Sequence, residues 1–146
     1  MARRAWSLLL TALACTLALV SCAEADTVEE FVRRDEARSG VYIYNLPLTD
    51  TTAAYDVWFY SRTAERPLGS VQLNVQWLAP SGEAFSETVY MPLKDSVRHF
   101  FYSSETSRPY RTGVVPIEPG IWKMEASIPD SARIKGFRGL GVRVKH

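Results

Sequence analysis

The sequence predicts an all-β protein, a two-sheet antiparallel β-sandwich of immunoglobulin or jelly-roll type with about seven to eight short strands. Three observations support this prediction. Apolar and polar residues alternate with a period of two over much of the chain, turn residues separate these runs, and no segment has a convincing helical period. Closure of the strands into a barrel is the lesser alternative.

The clearest predicted strand is residues 71–77, because its odd positions are apolar and its even positions are amides. Turn residues follow at 79–82 and a second alternating run at 83–91, so the two strands should form a hairpin. The same period predicts strands at 55–60, 122–128 and 140–144, and with a weaker signal at 28–32, 41–46 and 97–102.

One connection is unusual. Residues 103–112 are polar, contain Pro109 and exceed the length that a tight hairpin needs. We predict a loop here, either one that carries binding work or a plain solvated crossover.

The amino-terminal residues have the pattern of a secretory signal. Arg3 and Arg4 precede an apolar run over residues 5–20, which is shorter than the about 20 residues that a membrane-crossing helix needs. The run ends at Leu19-Val20-Ser21-Cys22, which resembles the lipobox of bacterial lipoproteins. We therefore expect a signal peptide at 1–21, a lipidated amino terminus and tether at 22–30, and the sandwich domain at 31–146.

That resemblance implies that diacylglycerol is joined to the Cys22 thiol, that the peptide is cut before it, and that the new amino terminus is acylated. Plain cleavage and an uncleaved anchor are the alternatives. Cys15 competes as a site, but it lacks a branched apolar residue three places upstream. Anchoring to a membrane through several acyl chains would need no help from the protein surface.

Charge excludes one class of partner. Residues 1–21 hold two of the 17 basic residues and none of the 16 acidic ones, so the rest of the chain carries a formal charge of −1. This near balance, with no basic stripe, argues against binding of nucleic acid.

Several short motifs occur in an order that resembles the gliding motility lipoprotein H family of Bacteroidetes. They are the Asp-Thr-Thr run at 50–52, the Pro-Ser-Gly turn at 80–82, the Pro-Gly-Ile-Trp run at 119–122 and the closing run at 139–144. The resemblance implies a cell-envelope lipoprotein, at the outer membrane, that works with other envelope proteins in gliding motility and the associated secretion apparatus. It brings no catalytic residue and no cofactor.

The residues themselves also argue against an enzyme. A triad could be drawn from Asp95, His99 and a serine, but no nucleophile elbow accompanies them, and His99 is expected to be an ordinary surface residue. Asp50, Asp56 and Glu65 could meet a calcium ion, although solvated acids at strand ends are the usual case. We predict no catalytic residue, no metal and no cofactor.

Aromatic residues give the strongest indication of binding. Tyr42 and Tyr44 should share one strand face, and Trp58 and Tyr60 should share another. If those faces point outward, the four rings form a platform for a carbohydrate or another ligand. If they point inward, the rings fill the core instead. A carbohydrate- or ligand-binding surface lipoprotein is thus the alternative to an interaction module.

Overall fold

The computed structural model describes residues 26–64, 70–92, 97–100, 103–129 and 134–146. Within these residues the chain forms nine strands and no helix, which confirms the predicted all-β class. The strands are β1 (Thr27–Arg33), β2 (Val41–Leu48), β3 (Tyr55–Thr63), β4 (Ser70–Leu78), β5 (Ala84–Pro92), β6 (Val97–Phe100), β7 (Ser103–Val114), β8 (Gly120–Ser127) and β9 (Phe137–Lys145).

The strands form two antiparallel sheets, so the predicted two-sheet sandwich is confirmed. Sheet A has five strands in the order β1-β9-β3-β7-β6, and sheet B has four in the order β2-β8-β4-β5. The core lies between them because β2, β3, β4, β8 and β9 turn alternate apolar residues inward. Its largest fully buried members are Tyr42, Tyr44, Phe59, Leu46, Leu73, Met91, Met124 and Leu140.

The β4–β5 hairpin is confirmed with the predicted turn. Ala79 donates its N–H to the carbonyl of Glu83 (2.8 Å), and Gly82 donates its N–H to the carbonyl of Ala79 (2.9 Å). Gly82 has a φ of +95°, a conformation that glycine adopts without steric cost. From this turn the two strands pair in unbroken register from Leu78 and Ala84 onward.

Two boundaries differ from the sequence-based expectation. Strand β1 begins at Thr27, so residues 27–30 belong to the sheet and not to the tether that was predicted to extend to residue 30. The predicted loop at 103–112 is wrong, since these residues lie in β7. The strand was hidden because its inward residues include Ser104 and Thr106, which are buried but polar.

Pro109 is compatible with strand β7 because of where it lies in the sheet. The β3–β7 register shifts beside it, between Val57 and Trp58, and β6 stops pairing with β7 at Thr106. Proline is tolerated at such bulges and along such edges, where no ladder bond needs its missing N–H.

In the described part of the chain no helix is long and apolar enough to cross a membrane.

Candidate functional site

The predicted aromatic platform does not exist. Tyr42 and Tyr44 lie in β2 of sheet B and are completely buried, because their face of the strand forms the core. The Tyr42 ring meets the edge of Phe137 at 6.1 Å between centroids, and the Tyr44 hydroxyl donates to the carbonyl of Leu140 (2.8 Å). Burial raises the pKa of both phenols. These two residues tie the sheets together and cannot stack on a ligand.

Tyr60 is also buried, although it lies on the outer face of sheet A. Phe31 stacks on its ring at 5.7 Å between centroids, and the guanidinium of Arg143 lies 4.6 Å from the ring centroid. Gly141 makes this possible, since a Cβ at that position would stand 2.2 Å from the Tyr60 ring. Burial raises the pKa of Tyr60, and the carboxylate of Glu29 raises it further.

Trp58 is the one predicted platform residue that remains partly exposed. Its ring is half-buried, with the Lys145 ammonium 5.7 Å from a ring centroid. Because β2 and β3 belong to different sheets, its ring could not have joined those of Tyr42 and Tyr44 in one plane.

Cys22, Asp95 and Glu65 lie outside the described residues, and so does the side chain of His99. The two remaining acids of the calcium alternative have other partners. Asp50 accepts hydrogen bonds from the N–H (2.8 Å) and hydroxyl (2.6 Å) of Thr52, and Asp56 accepts the N–H of Gly113 (2.8 Å). The part of the chain that the structure describes contains no group of three metal-ligating side chains.

A different feature is the best candidate site. An open, mostly apolar cleft of about 310 Å³ lies between the two sheets, on the side of the sandwich formed by β5 and β7. We call it the edge cleft. Its apolar lining comes from both sheets and from the segment after β7, and comprises Leu48, Trp77, Phe85, Val114, Val115, Pro116, Ile117 and Trp122. Glu87 and Arg111 complete it.

Irregularities in β7 shape one wall of the edge cleft. The β3–β7 register shifts on both sides of Val57, so β7 has more residues than β3 between the paired positions Pro109 and Val114. Gly113, at a φ of +67°, follows in this stretch. Bulges of this kind redirect side chains. Here Tyr110 crosses towards the other sheet.

Tyr110 links the two sheets through a chain of hydrogen bonds. Its hydroxyl accepts from the Trp77 indole Nε1 (2.9 Å) and donates to the carboxylate of Glu87. Glu87 also accepts from the Arg111 guanidinium (2.7 Å). The Tyr110 ring packs on Phe59, with centroids 4.8 Å apart, and stacks on Trp77 at 6.3 Å. The network fixes the width of the cleft on this side.

The network also sets the charge of the cleft. Burial alone would raise the pKa of Glu87, but hydrogen bonds from Arg111 and Tyr110 outweigh burial and the pKa is lowered. Burial, together with the Glu87 carboxylate, raises the pKa of Tyr110 to about 12. The hydrogen bond with Glu87 raises the pKa of Arg111. At neutral pH the cleft therefore holds an ion pair between Glu87 and Arg111 and the neutral phenol of Tyr110.

The mouth of the edge cleft exposes apolar side chains that protein does not cover. Phe85 is 44% exposed, Val115 50% and Ile117 70%, whereas Trp122 at the floor is only 7% exposed. Large exposed apolar groups that gather around one concavity mark an interaction site.

Sequence reasoning missed this site. Trp77 and Phe85 were placed correctly on strands, but alternation alone assigned them to an ordinary core face. Tyr110 and Arg111 were assigned to a loop. The one available signal was the run Val114-Val115-Pro116-Ile117, which is too apolar for a solvated connection.

Comparisons with known proteins add little to this geometry. No family model matches the chain, and no curated protein matches it. Among solved structures, the chain is similar to a carbohydrate-binding module specific for non-crystalline cellulose. The identity is 12%, the TM-score is 0.34, and the match covers 83% of this chain and 71% of the other.

Proposed function

We propose that this chain is a non-catalytic, lipid-anchored binding protein of the bacterial cell envelope, and that its edge cleft receives apolar side chains of a partner protein. The observation that carries the proposal is the cleft itself. Two indole rings and a phenyl ring line it, and its mouth leaves Phe85, Val115 and Ile117 exposed.

The polar groups of the edge cleft favour an apolar guest. The Trp77 indole, the Tyr110 hydroxyl and the Glu87 carboxylate already bond to one another or to Arg111. A sugar or an ionised ligand would have to compete with those bonds, and each group of this partly buried network that loses its partner costs less than the about 1–3 kcal/mol of a fully buried one. An aliphatic or aromatic side chain only has to displace water from apolar walls, which is favourable.

The same groups argue against catalysis in the cleft. A general acid or base works best with a pKa near the ambient pH. The pKa of Glu87 is shifted down and that of Tyr110 up to about 12, so both move away from neutrality. Charged groups that are bonded and fixed in this way hold one side of the cleft in place and are poorly suited to proton transfer.

The cellular part of the proposal rests on two resemblances in the sequence, one before the described region and one along it. The run that ends at Cys22 resembles a lipobox, and the order of motifs resembles the gliding motility lipoprotein H family. We therefore place the protein in the envelope, held by acyl chains on Cys22, as an accessory of the gliding and associated secretion apparatus. In cells grown with radiolabelled palmitate, Cys22→Ala should lose the label and Cys15→Ala should keep it. Equal labelling of the two variants would contradict lipidation at Cys22.

Indole signals give a direct test of the cleft. N-acetylleucinamide and N-acetylphenylalaninamide, as models of apolar side chains, would be titrated into the full-length, ¹⁵N-labelled protein in detergent. The Nε1–H signals of Trp77 and Trp122 should shift, and that of Trp58 on the outer face of sheet A should not. Ile117→Asp should abolish the shifts. No shift at either cleft indole, or equal shifts at all three, would contradict the proposal.

Sugar binding is the second candidate, and it rests on a different surface. The outer face of sheet B has a groove of about 400 Å³ lined mainly by amides, hydroxyls and carboxylates, among them Asn74, Gln76, Thr88 and Glu125. Such side chains bond well to sugar hydroxyls. Calorimetric titration with soluble oligosaccharides would test it, and a saturable heat that Gln76→Ala removes would support it.

A further inference from the structure

We propose that the free edge of β5 accepts an extended, uncharged segment of another envelope protein as an added strand, whose alternate apolar side chains enter the edge cleft. This inference rests on the proposed function and names the form of the partner. It follows from the direction of the β5 backbone groups, from the character of that edge, and from its continuity with the cleft.

The hairpin turn determines which backbone groups face the open edge. Ala79 and Glu83 form a hydrogen-bonded pair, and in an antiparallel ladder such pairs alternate with non-bonded ones. Phe85, Glu87 and Val89 therefore bond to β4. The intervening Ser86, Thr88 and Tyr90 point their N–H and C=O groups away from β4, and β5 is the last strand of sheet B among the described residues. These groups are free to pair with an added strand.

The β5 edge lacks most of the devices that normally prevent strand addition. Such devices are short length, proline, charged side chains and bulges. The one charged side chain of β5, Glu87, points inward and is paired with Arg111 (2.7 Å). Ala84–Pro92 has nine residues in unbroken register, with its only proline at the last position and no lysine or arginine. The other edges are blunted. Strand β6 has four residues, β2 contains Pro47, β7 has bulges around Pro109, and β1 carries Glu29 and Arg33.

The edge is continuous with the edge cleft. Phe85 and Glu87 turn their side chains inward and line the cleft, opposite Arg111 and the exposed Ile117. A strand added beside β5 would therefore direct alternate side chains into the gap between β5 and β7. Because Glu87 is the only ionised residue of β5 and is neutralised by Arg111, this surface complements an uncharged segment with apolar residues at every second position.

The test uses a fluorescein-labelled nine-residue peptide of alternating threonine and valine, titrated at low micromolar concentration into the full-length protein in detergent. Fluorescence polarisation should give saturable binding. Thr88→Pro removes an edge-facing N–H and no backbone bond between β4 and β5, so we expect at least a tenfold weaker affinity. The matched Thr88→Ala loses the same side-chain bond to Asn74 (3.1 Å) but keeps the N–H, and it should bind as the wild type does. N-methylation of every residue of the peptide removes the N–H groups on both of its edges and should abolish binding without any change to the protein.

Amide hydrogen exchange locates the contact. Addition of the peptide should slow exchange at Ser86, Thr88 and Tyr90, and leave Phe85 and Glu87, which already bond to β4, unchanged. Equal affinity of Thr88→Pro and Thr88→Ala, or full binding of the N-methylated peptide, would overturn the strand inference. If N-acetylleucinamide still shifts the indole signals in that case, the proposed function survives the failure. Self-association that Thr88→Pro abolishes, without peptide binding, would instead assign the edge to a second copy and overturn the proposal.

Discussion

Replacement of Tyr110 by phenylalanine removes one hydroxyl from the network that joins the two sheets beside the edge cleft. The ring contacts with Phe59 and Trp77 are kept, so the change isolates the hydrogen bonds. One lost bond is neutral, from the Trp77 indole, and is worth about 0.5–1.5 kcal/mol. The other runs to the Glu87 carboxylate and is worth about 1.5–3 kcal/mol. Because the site is only partly buried and water replaces some of this, we expect a loss of about 2 kcal/mol.

Equilibrium urea unfolding of the full-length protein in mild detergent measures this loss. With a slope of about 1–3 kcal/mol per molar urea, the midpoint should fall by about 1 M. Tyr90→Phe is the matched control, since Tyr90 is 61% exposed on the outer face of β5, and it should stay within about 0.5 kcal/mol of the wild type. Tyr110→Phe should cost less in a Glu87→Gln background, because an amide replaces the charged acceptor of the Tyr110 hydroxyl while the Trp77 bond is kept. A Tyr110→Phe midpoint equal to that of Tyr90→Phe would refute the network.

Three further predictions concern stability. The folded-state pKa of Glu87 is below its ordinary 4.5, so its contribution to folding stability is complete above about pH 4.5 and is lost as the pH falls through the folded-state value. Glu87→Gln should therefore reduce the drop in melting temperature between about pH 6 and pH 3. An unchanged drop would contradict this. Gly141→Ala should cost about 1–3 kcal/mol in urea unfolding, because the added Cβ meets the Tyr60 ring, and the cost should shrink in a Tyr60→Leu background; equal costs would contradict the clash. Tyr44→Phe should cost about 1 kcal/mol by removing the bond to the Leu140 carbonyl, and a neutral effect would contradict that bond's role.

The sandwich was predictable because its evidence is local. In β4 the apolar residues Val71, Leu73 and Val75 alternate with exposed amides, and the turn that follows has glycine where a positive φ is needed. Period two and turn chemistry together specify a hairpin without knowledge of the rest of the chain. The order of strands within the sheets depends on contacts between distant residues, which alternation does not encode.

The sites were less predictable because alternation separates two faces without saying which one is covered. Tyr42 and Tyr44 do share a face, as expected, but that face is the core. Tyr60 does point away from the core, yet Phe31 and a nearby arginine cover it. The edge cleft depends on bulges in β7 that redirect Tyr110, and such register shifts appear only once the partner strand is known.

Site-specific photocrosslinking in living cells tests the central claim, binding at the edge cleft, most directly. Benzoylphenylalanine would replace Phe85 or Ile117 at the cleft, or Ile43, which is an apolar residue of similar exposure to Phe85 on the outer face of β2. We expect one adduct of defined mass from positions 85 and 117, lost when Thr88→Pro is added, and none from position 43. Adducts of equal yield at all three positions, or at position 43 alone, would contradict it.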